Sequence, residues 1–265
     1  DGAAYWMSEN GFFRYAGKLE SLPCLVEDHV YNDINIESGN QMISAGLNNL
    51  FGEVMWFYPS STSSVVNKMV CYNYFDSSPQ RPVWTIGSLA RTMWQDSAVF
   101  SLPHALEYDA STDTSFDVIG NTEGRTSYYE HETGTDQNRS GTITAITANI
   151  TSGDFDITQA RSAQGQQTGV ATFKGDGEFL MKIRRFIPDF ISQTGTTRVT
   201  LELRNFPNET SASSSLGPFD ITSSTLKVDT RARARSIALK IENTASSQSW
   251  KLGTFRLDTQ PDGRR

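Results

Sequence analysis

The feature that most constrains this chain is a strict alternation of apolar and polar side chains over residues 199–204. Val199, Leu201 and Leu203 alternate there with Thr200, Glu202 and Arg204. Successive side chains of a β-strand point to opposite faces, so this pattern predicts a strand with one buried face. Similar segments, bounded by turn-forming residues, stand at 142–150, 179–187, 224–229 and 236–242. Many short strands between regular turns predict an all-β fold.

Composition changes near residues 136–142, where we place a domain boundary. The preceding part is rich in aromatic residues and repeats a weak unit of aromatic strand, polar turn and aromatic strand, at 4–15, 68–87 and 126–131. Repeated units of this kind are typical of propeller blades, and an irregular β domain is the alternative. The later part has an even strand pattern. We therefore predict a propeller-like β-region at 1–140 and an antiparallel β-sandwich at 141–265.

The chain begins directly in an aromatic strand, without an initiator Met and without a basic-then-apolar leader. This start is typical of an internal piece, so we expect residues 1–140 to be the C-terminal blades of a longer chain.

One segment, 34–51, has helical spacing. Ile36, Ile43, Leu47 and Leu50 would share one face of a helix there. Because two glycines interrupt the segment, the pattern predicts a short or broken helix.

The overall charge limits the partners of the chain. Its 265 residues carry a formal net charge of −7, which argues against a dedicated nucleic-acid binder, since phosphate binding relies on Lys and Arg. An acidic surface suits nucleic acid that passes without sticking. No apolar run reaches the roughly 18 residues that a membrane-spanning helix needs, so we expect no membrane partner. Cys24 and Cys71 stand in apolar surroundings and are read as free thiols, with a disulfide as the alternative.

No motif in the sequence points to catalysis, a metal or a cofactor. His131 stands between Glu130 and Glu132, and carboxylates that raised its pKa would make it a proton carrier. Neighbours in a strand point away from each other, however, so a polar strand end is the favoured interpretation. The acidic loops lack the ligand pattern of a calcium site; their residues are Asp109, Asp113, Asp117, Asp154, Asp156 and Asp176. We predict a protein that is not an enzyme.

Arginines form the most distinctive charged pattern. Arg231, Arg233 and Arg235 alternate with alanines, so an extended strand would align three guanidinium groups on one face, about 7 Å apart. The apolar residues after Ser236 continue the same parity, so we expect a bulge or bend near Arg235. Arg184 and Arg185 add to the basic set. The pattern indicates either an ion-pair ladder, within the fold or between subunits, or a solvated face.

Four tryptophans are candidates for core or interface anchors, because large aromatic side chains dominate the burial of both. They are Trp6, Trp56, Trp94 and Trp250.

The later part of the chain resembles the C-terminal region of structural proteins from short-tailed bacteriophages (podoviruses). The segments that carry the resemblance are 154–157, 182–189, 228–242, 250–258 and 260–264, and 83–94 and 129–132 also fit the pattern. Within that group the chain is similar to tail tubular, or nozzle, proteins.

The resemblance implies a virion protein without catalytic residues. Such proteins form a homohexameric tube below the portal and adaptor, through which DNA leaves, and they commonly contain a propeller-like β domain. The implied partners are further copies of the chain, the tail adaptor, fibre or other tail proteins, and DNA that passes without specific binding. One alternative is a host-surface carbohydrate-binding module of the tail, in which Tyr and Trp stack on sugar rings. The other is a propeller glycoside hydrolase, which needs two carboxylates about 5–10 Å apart in a cleft.

Overall fold

A computed structural model describes residues 2–35, 37, 42–97, 100–109, 125–139, 141–156, 179–206, 209 and 211–263. Most of them lie in antiparallel strands, which confirms the all-β class. The chain divides into two compact units, Asp1–Thr133 and Gly134–Arg265. Within the described residues no sheet closes on itself.

The first unit contains ten strands and a helix among its described residues. They are β1 (Ala4–Ser8), β2 (Gly11–Tyr15), β3 (Leu19–Leu22), α1 (Glu27–Asp33), β4 (Ser44–Asn48), β5 (Glu53–Tyr58), β6 (Lys68–Ser78), β7 (Arg81–Gly87), β8 (Met93–Gln95), β9 (His104–Asp109) and β10 (Arg125–Glu130). They form three sheets in the orders β1-β2-β3, β4-β5-β6-β7 and β8-β9-β10.

Strand β5 is buried on both faces and therefore organises the first unit. Trp56 and Tyr58 enter one apolar cluster, together with Phe12 of β2. Met55 and Phe57, on the opposite face, enter another. A strand covered on both sides needs apolar residues at every position, and the run from Val54 to Tyr58 provides them.

The helix predicted within 34–51 is wrong at its C-terminal half, because Ser44–Asn48 forms strand β4. This strand pairs along its whole length with β5. Gly46 faces Trp94 so closely that a Cβ atom there would lie 2.6 Å from Cγ of the indole. Pairing with an apolar neighbour strand and the contact with Trp94 outweigh the helical spacing of the apolar residues. Residues 36 and 38–41 of the segment lie outside the described part.

The second unit contains eleven strands among its described residues. They are β11 (Asp136–Arg139), β12 (Thr142–Ala145), β13 (Asn149–Thr151), β14 (Met181–Ile187), β15 (Phe190–Thr194), β16 (Thr197–Arg204), β17 (Ser214–Ile221), β18 (Val228–Ala234), β19 (Ser236–Glu242), β20 (Ser249–Leu252) and β21 (Arg256–Pro261). The larger sheets have the orders β13-β19-β16-β17 and β18-β14-β21, and β11-β12 and β15-β20 are pairs.

One core joins the two larger sheets of the second unit. Val199, Leu201 and Leu203 of β16, the alternating residues of the sequence, are buried in it. They pack with apolar side chains of β14, β18 and β19, such as Ile183 and Ile237. The predicted one-sided strand is therefore confirmed, since its polar residues stay outside the core.

The predicted bend at Arg235 is confirmed. Strand β18 ends at Ala234 and β19 begins at Ser236, and the two strands belong to different sheets. The backbone N–H of Arg235 donates to the carbonyl of Arg204 at 3.1 Å. The crossing lets Ala232 and Ala234 on one strand and Ile237 on the other all reach the same core.

Candidate functional site

The outer face of the first sheet presents three exposed apolar side chains and the half-buried Phe13, which together we call the aromatic face: Trp6, Phe13, Tyr15 and Leu19. In the sheet register Trp6 is opposite Phe13, and Tyr15 is opposite Leu19. The rings of Trp6 and Phe13 stack with centroids 5.8 Å apart. Trp6, Tyr15 and Leu19 keep 37, 51 and 59% of their surface exposed. A contiguous patch of this kind typically marks an interaction surface.

The other three tryptophans of the predicted set lie in different environments. Trp56 is buried in the main core of the first unit. Trp94 is half-buried against Phe57, and its Nε1–H donates to the carbonyl of Leu47 at 2.9 Å. Trp250 packs against the core of the second unit. Of the four, Trp6 is the one exposed enough to bind a partner directly.

Trp84 is an anchor of the first core that was not predicted from the sequence. Its ring packs on Phe12 at a centroid distance of 4.7 Å and on Tyr72 at 4.9 Å. Its Nε1–H donates to the carbonyl of Pro23 at 2.8 Å. The strand pattern of Val83, Trp84 and Thr85 could have indicated this role, because alternation places Trp84 on the opposite face of the strand from its two neighbours.

The outer face of the sheet β18-β14-β21 carries most of the predicted arginines, and we call it the basic face: Lys182, Arg184, Arg185, Arg231, Arg233 and Arg256, with Asp229, Asp258 and Asp262. Arg231 and Arg233 point outward while Ala232 and Ala234 enter the core. Arg184 stands at a bulge of β14 and is also exposed. The solvated-face interpretation therefore describes Arg184 and Arg231 within a single chain.

Two ion pairs cross the basic face. Nε of Arg185 lies 2.8 Å from Asp229 Oδ1, and Nε of Arg233 lies 2.5 Å from Asp262 Oδ2. Asp229 holds the pKa of Arg185 above its usual range through a hydrogen bond and through its charge. Among the described residues, Arg184 and Arg231 have no acidic partner. The predicted ion-pair ladder therefore describes Arg185 and Arg233, whereas Arg184 and Arg231 face solvent.

A buried polar cluster around Arg91 was not predicted. The guanidinium is only 5% exposed, and its Nη1 donates to Glu107 Oε2 and to the carbonyl of Ala90, each at 2.7 Å. Its Nε–H donates to Nε2 of His131 at 2.8 Å. The Cζ atom lies 4.3 Å from the centroid of the Tyr129 ring. These residues are far apart in sequence, so no local motif indicates the cluster.

The environment of His131 contradicts the idea of a proton carrier with a raised pKa. Burial, the positive charge of Arg91 and the nearby His104 together lower the pKa of His131 to about 4, with burial as the largest cause. The ring also packs on Trp94, with centroids 4.6 Å apart. His131 is therefore neutral near pH 7, and its Nε2 accepts a hydrogen bond from the Nε–H of Arg91. The flanking Glu130 and Glu132 do not set its protonation.

Next to this cluster, Glu132 has a backbone φ of 60°, which is rare for a residue with a side chain. Its Oε1 accepts a hydrogen bond of 3.0 Å from Nδ2 of the buried Asn48. Burial and the charge of Glu132 raise the pKa of Glu53. The segment after β10 is thus held by the side chains of Asn48 on β4 and of Arg91, and these contacts are structural.

The two cysteines and the acidic loops form no reactive or metal-binding group among the described residues. Cys24 and Cys71 are free thiols, and burial raises their pKa to about 11 and about 12. No group of three or more potential metal-binding side chains occurs in the described part of the chain. Asp113, Asp117 and Asp176 of the acidic loops lie outside it. Among the residues that the structure describes, no helix has both the length and the apolar character to cross a membrane.

Comparisons of the chain with protein-family models and with curated proteins gave no match.

Proposed function

We propose that this chain is a non-catalytic structural component of a short-tailed phage virion, a nozzle or tubular protein that works by assembling with further copies of itself. The observation that carries the proposal is the aromatic face. A protein that acts in isolation gains nothing from leaving Trp6, Tyr15 and Leu19 in water, whereas a neighbouring subunit would bury them. The resemblance to phage tail proteins suggests the phage tail as the assembly. The aromatic face supports a function based on contacts between subunits.

The arrangement of sheets is compatible with the finer architecture that we propose. The three sheets of the first unit follow one another along the chain as antiparallel groups of three, four and three strands, in the manner of successive propeller blades. In the second unit, side chains from two sheets share one core, as they do in a sandwich. In this proposal the first unit supplies propeller blades and the second unit a β-sandwich. Copies of the chain form a ring, which is hexameric in the tail tubes that the sequence resembles. The ring contacts the adaptor and fibre proteins and lets DNA pass.

Electron microscopy and light scattering of the purified chain test this proposal. We expect rings or short tubes, and a mass several times that of one copy. The double variant Trp6→Ala/Tyr15→Ala should assemble at least about tenfold more weakly, because it removes the apolar contact. Leu226→Ala is the matched control, since Leu226 is 84% exposed and lies in the second unit. A wild-type chain that stays monomeric at all concentrations would contradict self-assembly.

A second candidate is a host-surface carbohydrate-binding module, and the same aromatic face favours it, since exposed Trp and Tyr rings are suitable platforms for sugars. Binding of a glycan on an array, lost in Trp6→Ala/Tyr15→Ala but kept in Leu226→Ala, would support this function. An array without hits, together with rings in the microscope, supports the structural proposal.

A further inference from the structure

The charges of the chain are divided unequally between its two units. Asp1–Thr133 contains 17 acidic and 6 basic residues, a formal net charge of −11. Gly134–Arg265 contains 13 acidic and 17 basic residues, a formal net charge of +4. The overall charge of −7 therefore conceals two units of opposite sign. Charge asymmetry of this size produces attraction between unlike parts of separate copies.

One long stretch of the first unit contains acidic residues and no basic residue. From Leu19 to Asn67 the sequence has no Lys or Arg and contains Glu20, Glu27, Asp28, Asp33, Glu37 and Glu53. Helix α1 contains Glu27 and Asp28 in its first turn and ends at Asp33. Asp28 and Glu37 are exposed. We call Glu27, Asp28, Asp33 and Glu37 the acidic segment.

The acidic segment is not neutralised locally. Asp33 accepts a hydrogen bond from the hydroxyl of Ser61, which is uncharged. Glu27, Asp28 and Glu37 have no ion pair with any described residue. The segment therefore presents carboxylates that a basic surface would bind.

The basic face is its counterpart in the second unit. It has six basic groups against three carboxylates, and Arg185 and Arg233 already use Asp229 and Asp262. Arg184 and Arg231 remain exposed and without an acidic partner among the described residues. Arginine is well suited to carboxylates at an interface, because its planar fork forms two parallel hydrogen bonds.

We infer that the basic face of one copy docks on the acidic segment of a second copy, so that the chain assembles head to tail. Two basic faces would repel each other, as would two acidic segments, so a symmetric dimer through either surface is disfavoured. A contact between two different surfaces leaves one of each free on every pair, and repetition gives a closed ring or an open chain. This inference rests on the proposed function and adds a charged contact to the apolar contact of the aromatic face. Duplex DNA is a poorer partner for the basic face, because the net charge of the first unit repels phosphates.

Complementary charge reversal tests the inference. One variant is Arg184→Glu/Arg231→Glu, on the basic face, and the other is Glu27→Lys/Asp28→Lys, on the acidic segment. Each alone should associate at least about tenfold more weakly than wild type in analytical ultracentrifugation. An equimolar mixture should recover association, because each variant supplies the surface that the other has lost. Raising the salt from about 0.01 M to about 1 M, which shortens the screening length from about 30 Å to about 3 Å, should weaken wild-type assembly.

Two controls keep the outcomes distinct. Arg81→Glu/Lys251→Glu, at exposed positions of β7 and β20, makes the same change in net charge as Arg184→Glu/Arg231→Glu and should assemble like wild type. Thermal melts of Arg184→Glu/Arg231→Glu should match wild type, since both arginines are exposed. Glu27→Lys/Asp28→Lys should melt only slightly lower, because it places two cations in the first turn of α1. Assembly that neither reversal affects, or that mixing fails to restore, overturns the head-to-tail contact and leaves the proposed function standing. Binding of a duplex DNA fragment that Arg184→Glu/Arg231→Glu abolishes would assign the basic face to nucleic acid and overturn the inference.

Discussion

The Nε–H of Arg91 donates a 2.8 Å hydrogen bond to Nε2 of His131, so that a permanent cation is held by a neutral imidazole. Their sequence positions are 40 residues apart. The bond requires the His131 proton to be on Nδ1, and protonation of Nε2 would replace it with repulsion between two cations. The contact therefore makes the stability of the first unit depend on pH.

The first prediction concerns that pH dependence. The pKa of His131 is about 4 in the folded chain and near its usual value of 6.5 when unfolded. The unfolded chain therefore binds more protons between these values, and the free energy of unfolding falls as the pH drops from about 6.5 to about 4. The loss is at most about 3 kcal/mol. Denaturant melts across this range should show a smaller decrease for His131→Asn than for wild type.

His29→Asn is the matched control, because His29 is exposed on α1. It should follow the wild-type curve. If His131→Asn and wild type lost stability in parallel, the buried neutral imidazole would not be the cause.

The second prediction concerns the ion pair between Arg91 and Glu107, whose side chains are 6 and 14% exposed. Arg91→Ala would remove the cation that lies 2.7 Å from this largely buried carboxylate, and breaking a buried pair typically costs about 3–5 kcal/mol. Arg14→Ala, which removes the exposed partner of Glu20, should cost about 1 kcal/mol or less. Urea melts of both variants check this. Similar midpoints would show that the Arg91 pair is as weak as a surface pair.

The third prediction concerns Gly46. Ala in its place would put Cβ 2.6 Å from Cγ of Trp94, so the indole would have to move from its position over Phe57. Overpacking of this kind typically costs about 1–3 kcal/mol. Gly87→Ala is a fair comparison, because its nearest contact would be 3.4 Å from the flexible end of Met69. Thermal melts, with tryptophan fluorescence, should show a loss for Gly46→Ala and little change for Gly87→Ala.

The fourth prediction revises what the arginine pattern suggested about folding. Arg233 and Asp262 are both substantially exposed, so their ion pair is worth about 1 kcal/mol or less within one chain. Arg233→Ala should therefore melt close to Lys182→Ala, its neighbour on β14. The two variants should differ in assembly, where we expect Arg233→Ala to be weaker. A loss of several kcal/mol in the melt of Arg233→Ala alone would show that the pair is desolvated after all.

Some of this fold could be predicted from local pattern. The strand at 236–242 and the bend at Arg235 both follow from side-chain parity, which a sequence displays directly. The segment 142–150 was predicted as one strand and forms two, Thr142–Ala145 and Asn149–Thr151, because β13 pairs with β19 whereas β12 pairs with β11. Which strands pair depends on the tertiary fold, and the local sequence pattern does not show it.

In the candidate site, too, some features follow from the local sequence and others depend on the tertiary fold. Trp6 was identified as an anchor from its residue type, but its exposure depends on which side of the first sheet faces the core. Arg91 was not identified, because its partners Glu107 and His131 are brought to it by the antiparallel strands β8, β9 and β10. A cluster whose members share no local motif becomes visible only when the register of the sheet is known.

The crossing at Arg235 also has a mechanical meaning. Strand β18 belongs to the three-stranded sheet of the second unit and β19 to the four-stranded sheet. Arg235 alone joins the two strands, so it links the two sheets covalently. Tension applied to either sheet is transmitted to the other through that peptide and through its hydrogen bond to Arg204. The amide protons of both sheets should consequently exchange with solvent as one cooperative unit.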